Sequence, residues 1–286
     1  MDQEYTVNIL SRIGGREENQ DAFGCCETEH GLLVVVCDGM GGAKGGSTAS
    51  ALAVKTIIDD VSGASPSDAA GMLAGAITRA NSVVYQAGCS NPDLKGMGTT
   101  VVALLIGPEA ATAAHVGDSR IYQVRKGRKV FRTFDHSMVF ELVKRGRISE
   151  EQARLSAESN VILRALGTKA EVEVEINEGI SYLKGDRFLL CSDGVWGFAD
   201  EKQVLRLVAY DRSVEKTVEN IMEVVDSAGR EKGGRHDNLT AGLIETNINS
   251  KIQPGMNKKS KIIIGILSVL LLISICLNVF WFILKY

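Results

Sequence analysis

An uninterrupted run of six apolar or thiol side chains, LLVVVC at residues 32–37, ends on Asp38 and the glycine-rich stretch GMGG. A short, mostly β-branched run bounded by glycine predicts a fully buried strand. Glycines at 39, 41 and 42 let the chain turn sharply and bring backbone close to a ligand. The plan recurs in RFLLCSDGVWG, residues 187–197, so a second strand delivers Asp193 at the matching end. In RHDNLTAGLIE, Asp237 precedes another apolar strand, and in AAHVGDSRIYQV, Asp118 sits in a turn between two short strands. Helical spacing predicts helices over 47–61, 67–88 and 213–229, the last with a core stripe of Val214, Val218, Ile221, Met222 and Val225. Residues 137–156 read as two short helices joined by Gly146.

Four carboxylates therefore stand at strand edges. If they converge in a poorly solvated cleft, their repulsion has to be neutralised by protons or cations, and hard divalent ions prefer oxygen ligands. The sequence has no HExxH and no paired CxxC of zinc spacing, and its four histidines fall at ordinary strand and loop positions. Magnesium or manganese fits that donor set. GMGGAKGGS superficially resembles a phosphate loop, but it misses the GxxxxGK[ST] spacing and no hydroxyl follows Lys44, so a nucleotide-hydrolysing reading is set aside. Cys37 and Cys191 lie inside strand runs and read as small buried hydrophobes, not nucleophiles.

Composition narrows the class without changing it. The six cysteines lack scaffold spacing, 45% of residues are hydrophobic, and the net charge of -3 carries no footprint for nucleic acid.

Seven segments, GGREENQDAF, CDGMGG, GTTVVALL, HVGDSRIY, DHS, LLCSDGVW and DNLTAGLI, occur in the order seen in the metal-dependent type 2C serine/threonine protein phosphatases, bacterial branch. The resemblance runs from about residue 5 to 246. It implies an α+β fold, an α-β-β-α sandwich of two antiparallel sheets flanked by helices. It also implies hydrolysis of phosphoserine and phosphothreonine on proteins by a metal-bound hydroxide at a dinuclear Mn2+ or Mg2+ centre. By the same resemblance Asp38 bridges the two catalytic ions, Gly39 offers a carbonyl ligand, Asp193 and Asp237 complete the carboxylates, and Asp118 with Asp193 matches a third ion's site. Arg16 matches the phosphate-binding arginine, whose planar fork suits two phosphate oxygens at once. Asp21 matches an acid that holds metal-bound water, and Gln20 and Asn238 stand beside the ligands. Residues 137–156 match a mobile flap next to the site. The implied substrates are phosphoproteins, targets of a Hanks-type serine/threonine kinase.

The sequence departs from that pattern in places. Gln20 stands where animal relatives have a metal-site glutamate, Met40 where they have a histidine proposed as general acid, and Ala43 and Ser47 replace a histidine and glutamate common in bacterial relatives. The alternative is a membrane-tethered phosphopeptide-binding relative without turnover, against which the four aspartates and Arg16 argue.

The carboxy-terminal end has a different character. Residues 262–284 are 23 consecutive uncharged, mostly apolar residues, enough at about 1.5 Å per residue to cross a bilayer core. The expected organisation is a catalytic domain over 1–247, a polar and basic linker over 248–261, and a transmembrane helix over 262–284. Lys258, Lys259 and Lys261 before the span, against Lys285 after it, place the catalytic domain on the cytoplasmic side of the cell membrane as a single-pass protein. No amino-terminal signal peptide is expected, MDQEYTVNILSR being too polar.

Overall fold

A computed structural model describes residues 4–41, 45–65, 68–156, 158, 161–209 and 212–252. Its elements in chain order are β1 (Tyr5–Arg12), β2 (Asp21–Thr28), β3 (Gly31–Met40), α1 (Gly45–Ser62), α2 (Ala69–Ser90), β4 (Gly98–Thr99), β5 (Val101–Ile106), β6 (Ala111–Val116), β7 (Arg120–Arg125), β8 (Arg128–Arg132), α3 (Met138–Lys144), α4 (Glu150–Arg154), β9 (Glu175–Ile180), β10 (Arg187–Cys191), α5 (Asp193–Phe198), α6 (Glu201–Ala209), α7 (Val214–Glu231) and β11 (Leu239–Thr246).

The strands form two antiparallel sheets, one ordered β1-β11-β10-β7-β8 and the other β2-β3-β5-β6-β9, with β4 added to β3. Strand parity explains the continuous apolar runs. Leu33, Val35 and Cys37 point outward into a layer with Ala49, Ile57, Leu73 and Ile77 of α1 and α2. Leu32, Val34 and Val36 point the other way, into the gap between the sheets, where they meet Phe188, Leu190 and Ile244. The second sheet is covered by α5, α6 and α7, whose Trp196, Val208, Val218 and Ile221 pack on Leu189, Cys191 and Leu243. A strand covered on both faces has no reason to alternate with polar residues. The α+β sandwich implied by the resemblance is thus the architecture observed. Cys37 and Cys191 are fully buried, and burial pushes the Cys191 thiol up to about 12, so both behave as small hydrophobes.

Residues up to Lys251 form one compact unit. The linker expected from 248 onward does not begin there: Ile248 packs against the inter-sheet core, and Ser250 is buried, its amide donating to the Tyr182 carbonyl at 2.9 Å. The expectation of a single-pass membrane location with a cytoplasmic catalytic domain is corrected. Among the described residues no helix is long and apolar enough to cross a membrane. The helices α1 and α2 have sufficient length at 18 and 22 residues, but Lys55, Asp59, Asp60 and Arg79 interrupt them and each buries one face on a sheet. The span 262–284 that carried the expectation lies outside the described residues, and run length is a necessary condition for crossing, not a sufficient one.

Candidate active site

Asp38 continues the parity of Leu32, Val34 and Val36, so the strand that fills the inter-sheet gap ends by placing a carboxylate where that gap opens. Its backbone is fixed by the end of β4 and the residue that joins it to β5: Thr100 donates its amide to the Asp38 carbonyl at 2.8 Å, Thr99 Oγ1 donates to the same carbonyl at 2.9 Å, and the Asp38 amide donates to Thr100 Oγ1 at 3.1 Å. Asp21 lies directly opposite on β2. Gly39 follows, still within β3 and paired with Thr99, at a crowded position where a Cβ would run into the carbonyl oxygens of Gly46 and Gln20.

The second sheet brings its acids to the same opening. Asp193 starts α5, and Asp237 immediately precedes Asn238 and β11. Asp21 Oδ2 accepts hydrogen bonds from Ser192 Oγ at 2.8 Å and Thr240 Oγ1 at 2.6 Å, tying β2 to both strand ends of the other sheet. Its other oxygen, Oδ1, is buried without a partner, and so is Asp193 Oδ1. Burial pushes the Asp21 carboxyl up to about 7, against the Thr240 and Ser192 hydrogen bonds and with help from the Asp193 and Asp237 charges. Burial and the neighbouring Asp237 lift Asp193 to about 6. Asp38 and Asp118 are driven well above the ordinary range, first by burial and then by Asp193.

Asp118 reaches the cluster from the β6–β7 turn, where Gly117 adopts a positive φ of 105°. Trp196 Nε1 donates to the Asp118 carbonyl at 3.1 Å, linking that turn to the helix that starts with Asp193. Gly117 is gripped twice by His136: the His136 amide donates to its carbonyl at 2.8 Å, and its own amide donates to His136 Nδ1 at 3.2 Å. That bond leaves the proton on Nε2, which meets Glu175 Oε2 at 3.2 Å. His115 stacks on the ring with centroids 4.5 Å apart. Although His115, His136 and Glu175 lie close enough to suggest a metal cluster, the His136 ring has both nitrogens engaged and acts as a clamp on the turn. Burial and the adjacent His115 hold His136 down at about 4, so it stays neutral near pH 7.

Arg16 sits at the rim, 55% exposed, and its Nη2 donates to Asp237 Oδ2 at 2.7 Å. Asn238 holds its loop in place, accepting from the Gln20 amide at 2.8 Å and donating through Nδ2 to the carbonyls of Ile13 and Glu18 at 2.8 and 2.9 Å. Gln20 contributes backbone here too: its carbonyl receives the Gly39 amide at 3.1 Å and Ser50 Oγ at 2.6 Å. The cleft so formed, about 770 Å3, is lined by Arg16, Gln20, Asp237 and Asn238. Arg235 also lines it, a residue with no sequence signal beyond lying two positions before Asp237. Ser192, Thr240 and Thr100 were equally unannounced, because short hydroxyl residues carry no periodicity. Ser47, at a departure from the bacterial pattern, donates to Glu18 Oε1 at 2.7 Å, and Ala43 lies outside the described residues.

The donor set fits hard divalent cations. Two buried carboxylate oxygens lack partners, and several acids raise one another's pKa, so the cluster is short of positive charge. The description of protein phosphatase 2C matches residues 10–243. The chain belongs to the protein phosphatase 2C family. The serine/threonine phosphatase stp of Listeria welshimeri is 33% identical over 241 residues, which cover 82% of this chain and 93% of that protein. The crystal structure of serine/threonine phosphatase Stp1 from Staphylococcus aureus superposes with a TM-score of 0.75 at 28% identity, covering 84% of this chain and 94% of that one. The catalytic domain of the serine threonine protein phosphatase PstP, in complex with 2 manganese ions, has a TM-score of 0.70 at 29% identity, covering 84% of this chain and 97% of that one. The present chain is a protein serine/threonine phosphatase of the bacterial 2C type.

Proposed function

We propose that the chain hydrolyses phosphoserine and phosphothreonine esters of proteins at a dinuclear manganese or magnesium centre held by Asp38, the Gly39 carbonyl, Asp193 and Asp237, with Asp118 and Asp193 holding a third ion. The observation that carries the reading is the pair of partnerless buried oxygens, Asp21 Oδ1 and Asp193 Oδ1, within a group of mutually repelling carboxylates. Divalent ions bound there would neutralise the acids, polarise the phosphoryl oxygens and lower the pKa of water.

The remaining work falls to side chains. Arg16 exchanges its contact with Asp237 for two oxygens of the phosphoryl group, which fixes the phosphorus for in-line attack and strengthens as charge shifts in the loose transition state. Asp21 is held rigid through Oδ2 by Ser192 and Thr240, so Oδ1 can accept a proton from the attacking water. Met40 offers no proton to the leaving alkoxide, which therefore takes it from water. No covalent intermediate is needed, in keeping with buried Cys37 and Cys191. The phosphoproteins are those made by a Hanks-type serine/threonine kinase, a reading supported by the likeness to bacterial serine/threonine phosphatases.

The test is turnover of a phosphothreonine peptide with manganese, magnesium or chelator. Phosphate release that needs the metal and disappears in Asp193→Asn supports the assignment. Peptide binding without release in the wild-type protein would establish the non-catalytic alternative instead.

A further inference from the structure

Between α7 and β11 the chain passes through Gly233 and Gly234, both at positive φ, and then buries His236 directly before Asp237. A histidine in a polar, glycine-rich loop belongs neither to a sheet ladder nor to the apolar stripe of α7, so its burial needs a cause of its own. Its Nε2 donates to Asp226 Oδ1 of α7 at 2.8 Å. That acceptor is itself held, because Asp226 Oδ2 accepts from Arg230 Nη2 at 2.7 Å and has Arg12 Nη1 4.0 Å away. Gly229 leaves the ring its room: a Cβ there would stand 2.2 Å from His236 Cγ. Phe198, the last residue of α5, meets the ring edge-on with centroids 5.8 Å apart.

The ring fixes more than its own loop. The His236 carbonyl accepts the Gly15 amide at 2.9 Å, and a Cβ on Gly14 or Gly15 would meet the carbonyl oxygens of Asp237 and Gly234 at 2.1 and 2.0 Å, so the two loops lie against each other with no side chain between them. Arg16 is the next residue after Gly15, and its guanidinium reaches Asp237. The helix that Phe198 ends is the one that Asp193 begins. Arg16, Asp193 and Asp237 therefore sit on three segments that meet at one side chain, which does not itself line the cleft. A ligand or phosphate-binding group is effective in proportion to how firmly the groups behind it hold its orientation.

We propose that His236 is a positioning residue for the reaction: through Asp226 its side chain pegs the loop 234–238 to α7 and so sets Arg16 and Asp237 in register with each other. The inference rests on the proposed phosphatase reaction for its kinetic consequence. Loss of the peg removes no ligand, but it frees the loop that carries Asp237 and the Gly15 backbone that carries Arg16. Metal capture and phosphate capture should then weaken together, which separates this variant from one that lacks Arg16 alone.

The experiment compares wild type with His236→Ala, His236→Gln, Asp226→Ala and the His236→Ala/Asp226→Ala double variant, in the full chain and well below each melting temperature. Manganese Kd by calorimetry should rise about 10- to 100-fold in His236→Ala, the scale for losing a partner that orients a ligand, and KM for a phosphothreonine peptide at saturating manganese should rise as well. His236→Gln keeps a donor for Asp226 and should recover most of both losses. Asp226→Ala should reproduce them, and the double variant should be no worse than either single one, because both remove the same hydrogen bond. Gly229→Ala, which displaces the ring from α7, should give the pattern of His236→Ala. Hydrogen exchange of amides 13–16 and 234–238 should accelerate in each variant except His236→Gln, with the amides of β3 and β5 unchanged. A folded His236→Ala protein with wild-type manganese affinity and KM would reduce His236 to a stability role and overturn the proposal. Additive losses in the double variant, or a His236→Gln protein as impaired as His236→Ala, would overturn the hydrogen-bonded peg. A wild-type protein that releases no phosphate would remove the phosphatase reading, while the exchange measurement still decides the peg.

Discussion

Arg16 and Asp237, 221 residues apart in the chain, meet at 2.7 Å across the mouth of the cleft. One is the residue expected to bind phosphate and the other a residue expected to bind metal, so each satisfies the other in the resting protein. Arg16→Ala should lower kcat/KM about 100- to 1000-fold, the scale for losing a charged donor to a transition-state oxyanion. Manganese affinity measured by calorimetry should be undiminished, because Asp237 loses a competitor. An unchanged kcat/KM would make Arg16 a surface residue.

The crowded acids predict a trade between stability and activity at Asp38. Its carboxyl is raised by burial and by the charges of Asp193, Asp21 and Asp118. Asp38→Asn removes one charge from that set, so metal-free protein at pH 8 should melt higher than wild type while activity drops at least about 100-fold. Manganese should then raise the melting temperature less than it does in wild type. A variant that melts lower without metal and responds fully to manganese contradicts the repulsion argument.

Proton linkage gives a third test. Asp21 rises from 3.8 to about 7 and Asp193 to about 6, so between the ordinary and raised values the native state binds more protons than the unfolded chain. The cluster's contribution to metal-free stability is therefore lost as pH climbs from about 4 to about 7. His136 has the opposite sign: lowered from 6.5 to about 4, it contributes stability that disappears as pH falls through that window. Manganese competes with protons for the carboxylates only, so the melting shift it produces should be larger at pH 8 than at pH 5. Equal shifts at the two pH values would show that the acids are not its ligands.

Gly39→Ala tests the crowded end of β3. The added methyl meets the backbone oxygens of Gly46 and Gln20, neither of which can rotate away. A cost of about 1–3 kcal/mol is expected by urea denaturation, together with weaker manganese binding, since relief requires moving the backbone beside Asp38. Wild-type stability and wild-type metal affinity in this variant would mean that the end of β3 is plastic.

What the sequence determined by itself was local or periodic. The run 32–37 declared a strand covered on both faces, the stripe of Val214, Val218, Ile221, Met222 and Val225 declared a buried helix face, and all five of those side chains pack in the core beneath α7. Asp38 and Asp193 were legible as acids at strand ends because hydrophobic runs stop abruptly there. Tertiary structure decided which groups meet. Only strand parity and sheet order put Asp38 on the inter-sheet face opposite Asp21, and only the approach of β11 to β2 gave Asp21 its Thr240 partner. The Arg16–Asp237 pair, the His136 grip on Gly117 and the sharing of Arg132 between Glu150 and Glu201 join residues whose spacing follows no period. Periodicity reports the face that a residue shares with its own element, whereas a hydrogen bond between loops depends on the path of everything between them. The same limit explains the carboxy-terminal correction: the run 262–284 fixed length and apolarity, which are properties of a segment, but not a location, which depends on what the segment packs against.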